Sequence, residues 1–401
     1  MDVSRESRSE SEDIIKCRIE NFFRILRNIQ EEVQDAEIRG PTENLFKKFI
    51  SGVVESLEEE LRSAITEITE IKDLSIKIHR SGNIHSVFED FIYEVDAIIR
   101  QSKQIPDELY YFIADILSRL RRFQNMYYIL ISGPDLSTVN FSYGLERLFR
   151  LFPSTKAYIV ETQKFLWEIS VPPFLLTNPL DWPMVIHEIG HMIEDQFLRI
   201  VDNYYKEANT FEESDIKYRY AKEFQADYIA TCLIGTVFGA RGLVNYFTKE
   251  IKISPTHPAW KERMDAIEKH LKELGLSFTD YESMLKNLPP ENPLIGREKI
   301  EHLQEIIERT HQHIEDALYK PSSGAEEKAI NRLIRFVPYT DDIRVLLNVA
   351  EKAKKGIISS SEESSQSSPE DRERIESEFN YLLRDAIRLS YLKKFFAPVF
   401  K

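Results

Sequence analysis

Cysteine is scarce in this chain. Cys17 and Cys232 are the two in 401 residues, and they stand far apart. They give neither a disulfide framework nor a thiolate metal site, which fits a reducing compartment. Long apolar runs are missing too. The longest, Cys232 to Ala240, holds two glycines and stops at Arg241, well short of the ~20 residues a membrane-spanning helix needs. The stretch Met1 to Asp13 is charged and has no apolar centre, so it is not read as a secretory signal, and the expected location is the cytoplasm. Basic charge is in deficit. Lys and Arg number 53 against 67 Asp and Glu, a net charge of −14, which argues against a nucleic-acid partner and for solubility. With 13 Gly and 17 Pro, turn-forming residues are sparse, so a turn-rich β fold is disfavoured and long helices are expected.

What the chain does have is helical periodicity, and its 42% hydrophobic content is enough for real cores. Residues 1–13 read as a disordered tail. Ile14 to Val33 reads as a helix, and Phe49, Val53, Leu57, Leu61, Ile65 and Ile68 form a stripe along a second that starts near Pro41. Ser81-Gly-Asn83 has the composition of a turn. Phe88, Phe91, Ile92, Val95 and Ile99 mark a third helix, and Phe112, Ile116, Leu120, Phe123 and Tyr127 a fourth. Four such helices predict a bundle over 14–135, closed by Ser132-Gly-Pro-Asp135. A short helix is expected between Phe141 and Pro153. Ala157 to Val171, rich in β-branched and aromatic residues, then predicts one or two strands whose free edge could accept an extended peptide. Beyond Leu271 the chain is helical and charged again. It is broken at Leu288-Pro-Pro-Glu-Asn-Pro293 and at a Ser/Glu linker over 359–369, and its last helix carries Phe379, Leu382, Leu383, Ile387 and Leu392. His311 and His313, two apart on a helix, face different sides and read as solvated. The expected divisions are the tail, 14–135, 136–275 and 276–401, predominantly α with a small β element.

The most informative segment is Asp181-Trp-Pro-Met-Val-Ile-His187-Glu188-Ile-Gly-His191-Met-Ile. His-Glu-x-x-His on a helix is the signature of a zinc hydrolase. At 3.6 residues per turn His187 and His191 project from one face, so both imidazoles can reach one metal. Glu188 sits beside them, where a carboxylate can take a proton from a metal-bound water. Val185, Ile186, Ile189, Met192 and Ile193 make the helix apolar on most sides, so these polar groups need partners.

A catalytic zinc takes three protein ligands and keeps an open position. Glu223 and Asp227, four apart in Tyr218-Arg-Tyr-Ala-Lys-Glu223-Phe-Gln-Ala226-Asp227, supply a candidate third ligand and an acceptor for the outer N–H of His187. An extended three-histidine pattern would need Gly at Glu194 and His at Phe197, so that class is excluded. Glu194 itself follows His191 too closely on the same helix and reads as a supporting or surface residue. Glu212 and Glu213 lie in an acidic run that looks like a loop. Further on, Pro258 favours a first helical position, Trp260, Met264, Ile267 and Leu271 form a stripe, and His257 lies at the mouth of that helix.

His187-Glu-x-Gly-His191, Glu223-Phe-x-Ala-Asp227 and His257-Pro258-x-x-x-x-Arg263, in that order, resemble the peptidase unit of the HtpX and CAAX prenyl protease family of zinc metallopeptidases. The likeness runs from about Leu176 to Leu271. It implies a zincin-like α+β core, one zinc held by His187, His191 and Glu223, Glu188 as general base and Asp227 as orienter. It also implies that His257 and Arg263 support the substrate or a developing oxyanion. Well-known members of that family are membrane-embedded, and this chain departs from them. The expected activity is therefore that of a soluble zinc-dependent endopeptidase acting on a peptide or protein substrate. Two alternatives stay open: a regulatory peptidase of the ImmA/IrrE kind that cuts one partner, and a non-catalytic zinc-binding helical interaction protein.

Overall fold

In the computed structural model the described residues are 3–36, 43–71, 73–123, 126–140, 146–152, 166–207, 216–239, 257–276, 300, 302–334, 342–362 and 369–396. They are mostly helical and include one small sheet. The chain divides into two compact units: Met1–Ile105 with Asn125–Gly133 and Val139–Ser170, and Pro106–Gln124 with Pro134–Thr138 and Val171–Lys401. These units cut across the divisions expected at 14–135, 136–275 and 276–401. Part of the expected strand region (157–165), Glu212 and Glu213, the Pro-rich break at 288–293 and linker residues 363–368 lie outside the described residues.

The first unit is built on α1 (Val3–Asp35), α2 (Glu43–Glu70) and α3 (Leu74–Ser102). The stretch expected as a tail is helical from Val3, because its Arg and Glu residues are good helix formers and no Pro or Gly interrupts them. Ser81-Gly-Asn83 is not a turn but lies inside α3, where Ser81 is fully buried and accepts a hydrogen bond from Arg18 of α1 at 3.2 Å. Packing has overridden the local turn preference. The stripe Phe49, Val53, Leu57, Leu61 and Ile68 is buried as its periodicity requires, alongside Phe22, Leu26, Phe88, Phe91 and Val95. Phe88 stacks on Phe22 and meets Phe152 edge-on, at centroid distances of 5.2 and 5.9 Å.

The fourth expected helix, α4 (Asp107–Arg119), belongs to the second unit and stops before Tyr127. From there Tyr127-Tyr-Ile-Leu-Ile-Ser132 forms β1, a correction that its β-branched and aromatic make-up explains. After it come β2 (Ser137–Asn140), α5 (Glu146–Leu151) and β3 (Leu166–Val171). β3 is the central strand between β1 and β2.

In the second unit α6 (Pro173–Thr177) and a short turn of helix at Pro179–Asp181 lead into α7 (Pro183–Ile193), α8 (Ile200–Glu207) and α9 (Ile216–Ile234). α10 (Trp260–Glu273), α11 (Leu303–Ile314), α12 (Ala325–Ile334), α13 (Ile343–Glu362) and α14 (Pro369–Phe396) complete it. α9 is its axle: every residue from Glu223 to Ile234 is buried. α7, α10 and α11 pack around it. Its C-terminal carbonyls are taken up from α13, where Arg344 donates to Leu233 O at 3.1 Å and Asn348 to Ile234 O at 2.6 Å. Gly235, at φ +85°, ends the helix, and a side chain there would run into the Tyr319 ring. His311 is not simply solvated, since its Nδ1 lies 2.5 Å from the Tyr228 hydroxyl of α9. Among the described residues no helix is long and apolar enough to cross a membrane.

Candidate metal centre

α7 starts at Pro183, where a missing N–H costs nothing, and its Met184, Val185, Ile186, Ile189, Met192 and Ile193 are all buried. Beyond Ile193 the helix widens into a π turn over Glu194–Leu198 and is closed by Arg199 at φ 49°. Glu194 is buried, not a surface residue. Its Oε1 accepts the backbone N–H of Val201 at 2.6 Å, capping α8, and its Oε2 accepts from Gln225 of α9 at 2.9 Å. Glu194 thus ties together three helices around the site.

Gly190 lets α7 lie directly on α9. A Cβ at that position would fall 2.9 Å from the Cα and 3.1 Å from the carbonyl oxygen of Ala226. Two small residues, Gly190 and Ala226, therefore set the distance between the helix that carries the histidines and the helix that carries the carboxylates.

At this spacing His187, His191 and Glu223 converge as one group able to hold a metal ion. The two Nε2 atoms are 3.1 Å apart; that of His187 is 3.3 Å from Oε2 of Glu223 and that of His191 is 3.3 Å from Oε1. Two imidazole nitrogens and a carboxylate are the kind of donor set a zinc ion takes, so the group could hold such a metal. Oε2 of Glu223 is buried and takes no hydrogen bond; it is faced by Nε2 of His187 at 3.3 Å and by the Arg263 guanidinium at 3.4 Å, and so keeps a lone pair free for a ligand bond. The rings of His187 and His191 are mutually perpendicular at 86°, and Phe238 lies parallel to His187 at 6.3 Å and is fully buried.

Behind the donor atoms stands a second layer. Oδ1 of Asp227 is 2.9 Å from Nδ1 of His187, somewhat off a straight hydrogen bond, and directs Nε2 towards the centre. Arg263 of α10, 3% exposed, grips Asp227 at two points: Nε to Oδ2 at 2.7 Å and Nη2 to Oδ1 at 2.8 Å. Its Nη1 is 3.4 Å from Oε2 of Glu223. The resemblance points Arg263 at the substrate, whereas the structure sets it against the two buried carboxylates. His257 is 46% exposed with Nε2 3.5 Å from Oε1 of Glu223, at the open side of the group.

The charges here are strongly coupled. Burial disfavours charge on His187, but Asp227 and Glu223 outweigh it and push the imidazole up to about 10. Burial likewise opposes ionisation of Glu223 and Asp227, yet the histidines and Arg263 hold both carboxyls below their usual range. In a metal-free chain a proton on His187 does the neutralising that a cation would do. His257 is shifted down by burial, against the pull of Glu223.

Glu188, 8% exposed, faces a residue that the motifs do not include: Oε2 accepts a hydrogen bond from Oγ1 of Thr138 at 2.5 Å. His187, Glu188, His191, Glu223, Asp227, His257 and Arg263 are thus gathered in one part of the fold. Thr138, Phe238 and Glu194 join them. Of these three only Glu194 is singled out in the sequence, by its place close after His191 on the same helix. The chain matches no family model, no curated protein and no solved structure.

Proposed function

We propose that this protein is a zinc-dependent peptidase with a zincin-like core, hydrolysing peptide bonds in a protein substrate with Glu188 as general base. One observation carries the reading: two imidazoles with Nε2 atoms 3.1 Å apart, each 3.3 Å from a different oxygen of the Glu223 carboxylate on a facing helix, with a further carboxylate one residue from the first histidine. A structural site has no use for that extra carboxylate, and structural zinc sites are closed by four ligands.

His187, His191 and Glu223 would hold the ion, and Asp227 and Arg263 would keep His187 and Glu223 in place. Zinc, when bound, supplies Lewis acidity that polarises the scissile carbonyl and makes water a nucleophile near neutral pH. Glu188 accepts a proton as the water oxygen bonds to the carbonyl carbon. It then returns that proton to the amine nitrogen as the C–N bond breaks, so acid and amine leave with atoms balanced. His257, at the open side, is placed to hydrogen-bond the substrate.

Metal analysis and turnover test this together. The purified chain is expected to hold about one zinc, lost in His187→Ala, His191→Ala and Glu223→Ala. Asp227→Ala should cost about 10- to 100-fold in affinity or activity, less than loss of a ligand. Glu188→Gln should keep the metal and lose hydrolysis of unfolded casein. Metal content unchanged in all three ligand variants, or full activity in Glu188→Gln, would refute the reading.

A further inference from the structure

We infer that Thr138 is a positioning residue for Glu188, which holds the general base in the orientation from which it receives the water's proton. This rests on the peptidase reading above. Thr138 lies on β2, 50 positions ahead of Glu188, and belongs to none of the three motifs. Its hydroxyl has two acceptors within reach, both on Glu188: Oε2 at 2.5 Å and the backbone carbonyl at 3.4 Å. A hydroxyl has one proton to give, and the nearer, charged oxygen takes it.

The consequence is a carboxylate with two unlike oxygens. Oε2 is fixed by Thr138, while Oε1 accepts no hydrogen bond from any described residue and is left for the water. No cation among the described residues is paired with Glu188, so this hydroxyl is its one polar anchor there. A glutamate side chain has three rotatable torsions, and a swing between rotamers moves its oxygens by more than about 1 Å. A misplacement of that size costs about 100-fold in rate. His187 is oriented by Asp227; the base is oriented by Thr138, from a separate part of the chain.

Thr138→Val removes the donor and keeps shape and strand preference, whereas Thr138→Ser keeps the donor and drops a methyl group. Three quantities are to be read: zinc affinity, kcat and KM on a fluorogenic peptide, and the Glu188 rotamer in crystals of the metal-free chain. The valine variant is expected to bind zinc within about twofold of wild type. Its kcat should fall about 10- to 100-fold at unchanged KM, with Glu188 turned away from its wild-type rotamer. Serine should restore most of the kcat. Thr138→Ala gives the same comparison should the valine variant not fold.

Wild-type kcat in Thr138→Val, an unmoved Glu188 in its crystals, or a serine variant as slow as the valine one would overturn the inference. A zinc-loaded wild type that cleaves nothing, or a Glu188→Gln variant that cleaves normally, would instead bring down the peptidase reading and the role of Thr138 with it.

Discussion

Arg263 and Asp227 form a buried two-point ion pair, with Nε–Oδ2 at 2.7 Å and Nη2–Oδ1 at 2.8 Å, one step behind the candidate metal ligand His187. Such a fork is specific to guanidinium geometry. Arg263→Ala leaves Asp227 charged in the interior with His187 as its remaining partner, and breaking a buried pair in this way costs up to about 3–5 kcal/mol. Arg263→Lys keeps the charge but loses one of the two contacts. The expected order of thermal stability is wild type, then lysine, then alanine, read by calorimetry on the metal-free protein. An alanine variant as stable as wild type would show that the pair does not anchor α10.

Gly190→Ala is expected to weaken metal binding without touching a ligand. The new methyl would meet Ala226 backbone atoms at 2.9 and 3.1 Å, forcing α7 off α9 and the histidines off Glu223. Overpacking of this kind costs about 1–3 kcal/mol. Because the nearest atoms are backbone, the double variant Gly190→Ala with Ala226→Gly should not recover. Recovery of zinc affinity in that double variant, measured by chelator competition, would mean the clash is with the Ala226 side chain.

Zinc affinity should rise with pH through the neutral range. His187, raised to about 10 in the metal-free chain, must shed a proton before its nitrogen can ligate, while Glu223, held low, is already ionised. One displaced proton gives about tenfold per pH unit. The same shift runs the other way for stability without metal. A folded value above the unfolded ~6.5 gives stabilisation that is complete below ~6.5 and lost as pH climbs through about 10. Affinity that stays flat between about pH 6 and about pH 8 would show that His187 is already neutral.

Glu168 on β3 is a liability in the first unit. Burial, and then the charge of Glu94, push its carboxyl up to about 7. The folded chain therefore binds more protons than the unfolded one between ~4.3 and about 7, and stability falls across that window as pH rises. Glu168→Gln should raise the urea midpoint at about pH 8 and leave it nearly unchanged near pH 4. A lower midpoint for the glutamine variant at the higher pH would count against a strained carboxylate.

The sequence made the site more legible than the fold. Helical spacing alone puts His187 with His191 and Glu223 with Asp227, because four residues is close to one turn, and the structure brings these pairs together. Arg263 is named only through the family resemblance, which says nothing about which group the guanidinium meets, and its partners are carboxylates of α9. Thr138 was illegible for a different reason: it reaches Glu188 through tertiary folding across 50 positions, and a lone threonine has no pattern. Tyr127 continued an apparent helical stripe from Phe123, yet the run it opens is β-forming, and the strand prevailed. Ser81-Gly-Asn83 had turn chemistry and became helix because α1 supplies a partner for Ser81.

α9 has no side that faces water from Glu223 to Ile234. Its partners differ by direction: α7 at Ala226, Arg263 at Asp227, Gln225 on Glu194 and Thr310, Tyr228 on His311, and Arg344 and Asn348 at its end. A saturation scan of an ordinary amphipathic helix yields a rhythm of tolerant and intolerant sites. Along this one the rhythm should vanish, leaving a continuous block in which nearly any replacement shifts Glu223. Tolerated replacements should gather instead at exposed sites such as Tyr93 and Tyr381, where a new side chain has little to disturb.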